Sequence, residues 1–187
     1  FTVDLNSPPI GDTKSIDELL DKLRAFGAER VDGWLVGSNY DDTLLAEKRH
    51  PTRDDLDQVS ATRPIAIVHV SGHLMVLNSA ALAELAIDET TPDPEGGHIV
   101  RDLSSPDKRR PNGILEETAT HDARQKPLDL SAGDVWKMTQ LASAEYLEYG
   151  VTTASSGGMP KALASLLGPM SEYNQIPLRV ALFPWFD

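Results

Sequence analysis

The sequence predicts an α/β fold, in which buried strands alternate with amphipathic helices. Residues 65–70 (IAIVHV) form a nearly continuous β-branched run, which is typical of a strand covered on both faces. The last third of the chain reads helix, strand, helix, strand, and short strand–helix–strand links indicate a parallel pair joined by a crossover. With 40% hydrophobic and 25% charged residues, the 187-residue chain can bury one sizeable core.

Charge and cysteine content narrow the classes of function. The net charge of −12 would repel a phosphate backbone, so nucleic acid is not an expected partner. No apolar run is long enough to cross a bilayer, so a membrane is not expected either. The sequence contains no cysteine, which excludes disulfides, thiolate nucleophiles and zinc–thiolate sites and fits a cytoplasmic protein.

The first part of the chain predicts a helix and a strand. Residues 12–29 have apolar side chains at helical spacing, and Ser15 and Glu18 have the spacing of a capping box. Residues 34–37 predict a short strand, and the polar residues 38–42 predict a turn after it.

The clearest strand lies between two short helices. Thr52 is expected to cap the first helix. The strand at 65–70 follows, and residues 71–73 predict the turn that ends it. Residues 80–86 are rich in alanine and predict the second helix.

A hairpin is expected in the middle of the chain. Residues 98–102 and 113–115 predict its two strands, and the polar stretch 104–112 joins them. Its basic residues predict a solvated loop.

The strongest helix is predicted at residues 129–149. Ser131 and Asp134 have N-cap and N3 spacing, and Gly150 is suited to end the helix. A short strand at 151–154 should follow.

A second strand–helix pair completes the chain. Pro160 fits the first turn of a helix, which Gly168 and Pro169 should kink or split. Residues 178–183 then predict a strand parallel to the one at 151–154.

The histidines have no spacing that predicts a metal site by itself. His69 lies inside the buried strand and is interpreted as a core histidine. His73 follows the carboxyl end of that strand, where sites of α/β sheets form, so it either lines a site or serves as a turn residue. The five histidines of the chain are His50, His69, His73, His98 and His121.

Two consecutive glutamates follow the second hairpin strand. If that strand continues, one of Glu116 and Glu117 points inward, where a carboxylate needs a cation, a metal or hydrogen-bond donors. If a helix begins there instead, both glutamates are exposed.

Several segments, taken in order, resemble one known family. They are 34–42 (WLVGSNYDD), 50–57 (HPTRDDLD), 71–73 (SGH) with 78–82 (NSAAL), 92–97 (PDPEGG), 112–117 (NGILEE), 149–153 (YGVTT) and 177–180 (PLRV). Together they are similar to the amidohydrolase superfamily, in the branch of N-substituted formamide deformylase-like proteins.

The resemblance implies a fold and an organisation. The fold is a partial (β/α)8 TIM-type barrel with an inserted α+β segment. Residues 1–121 would be mostly this insertion after the first barrel strand, and residues 122–187 a barrel helix with a strand–helix–strand unit. We therefore expect the chain to be an internal piece of a longer enzyme, with the main metal-binding histidines before Phe1 and after Asp187.

The resemblance also implies an activity. A divalent metal, usually zinc, would activate water to cleave an amide-type C–N bond of a small-molecule substrate in the full-length parent. The fragment itself would lack the full set of metal ligands and would therefore be inactive. The alternative is a non-catalytic regulatory or interaction protein that keeps the scaffold. Exposed strand edges would favour a homo-oligomer.

Five residues are the candidate site residues. By resemblance, Glu117 reaches the metal in place of a modified lysine, and His73 and Asn78 line the substrate pocket. Tyr40 and Asp41 are expected to face that pocket as well. Trp34 faces either the pocket or the core.

Overall fold

The computed structural model describes residues 2–29, 33–106, 108–126, 131–159, 161–173 and 175–184. Two compact units are present, Phe1–Asp129 and Leu130–Asp187. The predicted segment boundary after residue 121 and the insertion of the first segment into a barrel stay predictions. None of the described helices combines the length and apolar composition that a bilayer crossing requires.

A six-stranded mixed sheet forms the centre of the first unit. β1 and β2 are parallel, as are β2 and β3, whereas β4 pairs antiparallel with β3 and with β6, and β5 pairs antiparallel with β6. In sheet order the strands are β1 (Val3–Asp4), β2 (Leu35–Tyr40), β3 (Ile65–His69), β4 (Leu74–Leu77), β6 (Pro111–Glu117) and β5 (Gly97–Arg101).

Three helices lie in the connections between these strands, and a fourth follows β6. A short 3₁₀ turn at Thr118–Thr120 leads from β6 into the last of them. The helices are α1 (Ile16–Glu29), α2 (Arg53–Asp57), α3 (Ser79–Glu84) and α4 (His121–Gln125).

Both faces of the sheet are covered, as the β-branched run predicted. Ile65 and Ile67 of β3 pack in one cluster with the α1 leucines Leu19, Leu20 and Leu23. The alternate side chains of the sheet form a second cluster with α3 and α4, whose buried members include Ala66, Met75, Leu77, Leu82 and Ala123. This alternation is the period-2 geometry of strands, which sends successive side chains to opposite faces of the sheet.

Local signals predicted several elements of the first unit, although their boundaries differ from those predicted. Thr52 caps α2 with a capping box, and the hairpin strands β5 and β6 are antiparallel. Ser15 Oγ accepts the Glu18 amide at 3.2 Å, but the Glu18 carboxylate accepts the Lys14 amide rather than that of Ser15.

Two expectations for this unit were wrong. The polar residues expected to form a turn continue β2 to Tyr40, because its side chain is buried in the core. Strand β4 was not predicted, because its four consecutive apolar residues show no alternation and all are buried.

The second unit contains two parallel strands and two helices. α5 (Ala132–Glu148) begins with the predicted capping box of Ser131 and Asp134, and β7 (Thr153–Ser155) pairs parallel with β8 (Arg179–Ala181). α6 (Lys161–Glu172) connects these strands, which confirms the strand–helix–strand unit. Pro169 lies inside α6, which continues through it instead of splitting. Pro160 lies outside the described residues.

Candidate functional site

One edge of the six-stranded sheet collects polar side chains. Tyr40 ends β2 and is the register partner of His69, which ends the parallel strand β3. Leu74 begins β4 opposite Glu116 near the end of β6, so the start of β4 and the end of β6 reach this edge too. Sites of α/β sheets form beyond such strand ends. We call it the polar edge and define it by Asp42, His50, His69, His73 and Glu117.

His73 and Glu117 form an exposed pair at the polar edge. His73 Nδ1 lies 2.9 Å from Glu117 Oε2, and the side chains are 69% and 57% exposed. The Glu117 amide also donates to the His73 carbonyl at 2.9 Å. Two bonds between the same two residues therefore hold a nitrogen and a carboxylate oxygen side by side where a ligand can reach them.

The backbone of Glu117 is strained. Its φ is 51° and its ψ −124°, a region that side chains other than glycine rarely adopt. The strand ends at this residue, and the 3₁₀ turn begins directly after it. Such strain costs about 1–3 kcal/mol and is concentrated at functional sites.

A second polar group at the edge is formed by Asp42, His50 and His69. Asp42 Oδ1 lies 3.0 Å from His69 Nε2 and 3.6 Å from His50 Nδ1. Ligand atoms from all three residues lie within 4.8 Å of one another. The side chains are 22%, 30% and 16% exposed, respectively, so the group is partly buried.

Neighbouring residues hold the two imidazole rings of this group. The Ser71 amide donates to His69 Nδ1 at 3.1 Å, which assigns the proton of a neutral His69 to Nε2, facing Asp42. Tyr40 Oη lies 3.1 Å from His50 Nδ1, and its ring meets both imidazoles edge-on. The two imidazoles are therefore fixed in orientation before any ligand arrives.

Burial shapes the titration of the group. Burial lowers the pKa of His50, although the nearby Asp42 carboxylate acts in the opposite direction. Burial also raises the pKa of the Tyr40 hydroxyl, and Asp42 adds to this effect. At neutral pH the His50 ring is neutral and the Tyr40 hydroxyl is protonated, so a nitrogen lone pair is present on His50.

The other predicted site residues have more structural surroundings. Asn78 is fully buried, and its oxygen accepts the amides of Ile65 and Ala81. Its nitrogen donates to the carbonyls of Ser60 and Arg63, so the hydrogen-bonding capacity of the amide is filled. Asn78 therefore has a structural role in joining β3 to α3.

Tyr40 and Asp41 lie beside the polar edge in different environments. The Tyr40 side chain is buried and presents only its hydroxyl, to His50. The Asp41 carboxylate accepts from the amide and the hydroxyl of Thr43, which lower its pKa. Trp34 is partly buried against the second core cluster and donates to Glu84 at 3.2 Å, which favours the core over the pocket.

Sequence reasoning missed the three-residue group. His69 was predicted as a core histidine, but it lies at the strand end, is partly exposed and contacts Asp42. Its neighbours Asp42 and His50 come from the end of another strand and from a loop. Their spacing in the sequence does not predict that they lie close to His69. The parallel register of β2 and β3 would have supplied the signal.

Donor atoms at the polar edge are of the types that borderline divalent metals prefer. Imidazole nitrogens and carboxylate oxygens suit zinc, and a catalytic zinc site uses three protein ligands and keeps one position open. The fold and this edge together define the class: an α/β protein whose sheet carries candidate metal ligands at its strand ends.

The amidohydrolase family model matches residues 2–183, so the chain belongs to the amidohydrolase family. The family predicted from the ordered segments is thus confirmed.

Two curated relatives support the same assignment. Over 121 residues the chain is 36% identical to the N-substituted formamide deformylase of Arthrobacter pascens, covering 64% of this chain and 21% of that protein. It is 32% identical to the exoenzymes regulatory protein AepA of Pectobacterium carotovorum subsp. carotovorum, covering 92% of this chain and 45% of that protein. The chain spans less than half the length of either relative.

A solved structure shows the same fold. An uncharacterized metal-dependent hydrolase from Pyrococcus horikoshii OT3 matches with a TM-score of 0.61 and 22% identity, covering 98% of this chain and 32% of that one. The mixed α/β architecture with a central sheet is thus common to both proteins.

Proposed function

We propose that this chain is part of a metal-dependent hydrolase that cleaves an amide-type, non-peptide C–N bond of a small-molecule substrate. Membership of the amidohydrolase family supports the hydrolase, and the similarity to a protein named N-substituted formamide deformylase supports the C–N bond. In this proposal β7 and β8 are strands of a (β/α)8 barrel, and the first unit is an insertion in it.

The observation that carries the proposal is the strained, exposed carboxylate of Glu117 beside His73. A strained backbone persists only where the surrounding structure enforces it, and such residues cluster at functional sites. Here the strained residue places a carboxylate at the polar edge. Glu117 Oε2 and His73 Nδ1 are an oxygen and a nitrogen donor that fit zinc. They are two donors, and a catalytic zinc site needs at least three protein ligands, so the pair supplies only part of the set.

A bound divalent metal would lower the pKa of water and supply hydroxide at neutral pH. The residues of the chain would supply ligand atoms and hold those atoms in position. Glu117 offers a negative oxygen, and its bonds to His73 fix where that oxygen lies. Asp41, beside the polar edge, is the proposed substrate-contacting residue. Tyr40 contacts His50 through its hydroxyl, and Asn78 bonds only to backbone groups, so neither is proposed to touch the substrate.

The 187-residue chain by itself should be inactive in this proposal. The pair of Glu117 and His73 leaves the proposed hydrolytic metal short of ligands, and a hydrolytic site needs its full ligand set. Assays therefore belong on the full-length parent.

A second candidate function is a regulatory protein that keeps the amidohydrolase scaffold. The relative named as an exoenzymes regulatory protein covers more of this chain than the deformylase does, and this observation favours the second candidate. A shared fold does not by itself establish a shared activity.

The test measures the metal content of the full-length parent and its hydrolysis of a panel of N-formyl and N-acyl compounds. Glu117→Ala should lower turnover by at least about 100-fold and reduce metal content, since metal ligands and their partners have effects of this size. Glu116→Ala, one residue away and partly buried, is the matched control and should keep both.

A metal-free parent that hydrolyses none of the panel would reject the hydrolase and leave the regulatory candidate. Turnover that survives Glu117→Ala would keep the hydrolase but remove Glu117 from its metal site.

A further inference from the structure

We infer that Asp42, His50 and His69 form a binding site for one divalent metal of the zinc type. This inference goes beyond the proposed function, because the proposed hydrolytic metal is held by Glu117 and His73. Asp42, His50 and His69 are a separate set of ligands. Every ligand of the inferred site comes from the first unit of this chain.

The ligands converge because two parallel strands end side by side. His69 ends β3, and Asp42 lies two residues after the end of β2, whose last residue Tyr40 is the register partner of His69. His50 comes from the connection between β2 and α2, and its ring centroid lies 5.5 Å from that of His69. Residues distant in sequence thus form a cluster of two nitrogens and one carboxylate.

The distances suit a metal without a large rearrangement. In a tetrahedral zinc site with bonds of about 2.1 Å, neighbouring ligand atoms lie about 3.4 Å apart. The observed separations from Asp42 Oδ1 are 3.0 Å to His69 Nε2 and 3.6 Å to His50 Nδ1, one slightly shorter and one slightly longer than this value. Small rotations of the side chains would place a metal between them.

The surroundings can accept the proton changes that a metal requires. Binding through Nε2 moves the proton of His69 to Nδ1, where the Ser71 hydroxyl lies 2.8 Å away and can accept it. The Ser71 amide, which then loses its acceptor, belongs to an exposed residue and can bind water. Metal binding at His50 Nδ1 would require the Tyr40 hydroxyl, 3.1 Å away, to give up its contact with that nitrogen.

Charge and access favour a cation. The Asp42 carboxylate lies against both imidazoles and gives the group a negative ligand, which favours a cation. The three ligands are partly exposed rather than fully buried, so a metal can reach them from solvent. In this chain the site competes with no thiolate, because cysteine is absent.

The test uses the 187-residue chain after removal of metals with a chelator. Zinc binding is measured by calorimetry, and cobalt(II) is used as a spectroscopic probe of nitrogen–oxygen coordination. We expect one equivalent of zinc, and we expect His69→Ala and Asp42→Asn each to weaken it by more than about 100-fold, because loss of even an outer-shell partner costs 10–100-fold.

The matched control is a histidine bonded to a carboxylate outside the group. His98→Ala removes the partner of Asp93. This variant should leave the zinc affinity within about two-fold and the cobalt spectrum unchanged, because His98 is not a ligand of the inferred site. If His69→Ala fails to fold, as judged by thermal unfolding of the metal-free chain, His50→Gln replaces it.

Absence of zinc binding by the chain would overturn the inference. Binding that survives His69→Ala or His50→Gln but is lost in His73→Ala or Glu117→Ala would overturn it too, while supporting the metal role of Glu117. Conversely, an inactive full-length parent that still loses one zinc in His69→Ala would reject the proposed function and keep this site.

Discussion

Arg49 donates hydrogen bonds to both carboxylate oxygens of Asp55 at the start of α2. Its Nη1 lies 2.6 Å from Oδ2 and its Nη2 3.0 Å from Oδ1, and the Asp55 side chain is only 12% exposed. The Thr52 amide and hydroxyl donate to Oδ2 as well, at 2.7 and 3.0 Å. Burial by itself raises the pKa of Asp55, but these donors together hold it below its usual range.

Asp55 should stabilise the fold in a pH-dependent way. Its pKa is lower in the folded than in the unfolded protein, so its contribution is complete above about pH 5 and is lost as pH falls through the folded pKa, below about 4. Asp55→Asn should cost about 2 kcal/mol at pH 7, as loss of hydrogen bonds to a charged group does. Urea unfolding at pH 7 and pH 3 should show this cost shrinking.

The control for this experiment is Asp21→Asn. Asp21 also pairs with an arginine at 2.6 Å, but its side chain is 75% exposed, so the loss should stay within about 0.5 kcal/mol. An equal cost of Asp55→Asn at both pH values would contradict the argument.

Glu117→Gly should be more stable than Glu117→Ala, although glycine normally weakens a folded chain. Both variants lose the carboxylate, and only glycine relieves the backbone at φ 51° and ψ −124°. We expect glycine to gain about 1 kcal/mol over alanine, which is the strain of 1–3 kcal/mol less the entropic cost of glycine. Chemical denaturation of the two variants measures the difference.

Glu116 supplies the reference for this pair of variants. It lies in β6 and is not among the described residues with positive φ. Glu116→Gly should therefore be less stable than Glu116→Ala by about 0.5–1 kcal/mol. If both positions give the same order, Glu117 stores no strain.

Asn78→Ala should be among the most damaging single changes to the first unit. It removes the cap of α3 and the hydrogen bonds of the Asn78 side chain to the Ile65 amide and to the Ser60 and Arg63 carbonyls. The expected loss is about 3 kcal/mol in the free energy of unfolding. Ser131→Ala, which removes an exposed cap from α5, should cost about 1 kcal/mol. If Asn78→Ala lowers the free energy of unfolding no more than Ser131→Ala does, the structural role of Asn78 is contradicted and a role in the substrate pocket is favoured.

Gly113 is required by the close approach of two other segments. Its φ is 101°, and a Cβ there would lie 2.5 Å from the Leu77 carbonyl oxygen and 2.8 Å from the Arg53 amide nitrogen. Gly113→Ala should cost about 3 kcal/mol or more, because the neighbours are backbone atoms. Gly33 has a φ of 70° with nothing within 4 Å, so Gly33→Ala should cost only about 1–2 kcal/mol. Thermal unfolding of both variants separates crowding from backbone strain, and equal shifts would exclude crowding.

Local chemistry made much of the fold predictable from sequence. The caps at Thr52 and Ser131 and the β-branched run of β3 each depend on a few neighbouring residues, and each was confirmed. Strand β4 was not predicted, because four buried residues in succession resemble the lead into a helix as much as a strand.

The candidate site was predictable only in part. His73 and Glu117 were named from sequence, and the structure brings them to 2.9 Å of each other through the pairing of β4 with β6. The group of Asp42, His50 and His69 depends on the register of two parallel strands and on the path of a loop. That information is carried by long-range packing, which residue spacing does not report.

The side chain of Ser71 couples the two polar groups of the edge, because it contacts a residue of each. Its hydroxyl oxygen lies 2.8 Å from His69 Nδ1 and accepts the amide of His73 at 3.2 Å, so the two groups share one partner. A ligand that changes which nitrogen of His69 carries the proton also changes the bonding of that hydroxyl and so the position of His73. Linkage requires the effect to be equal in both directions, so ligands at the two groups would modulate each other's affinity by the same factor. In Ser71→Ala the two affinities should become independent, which titration of each ligand with and without the other would measure.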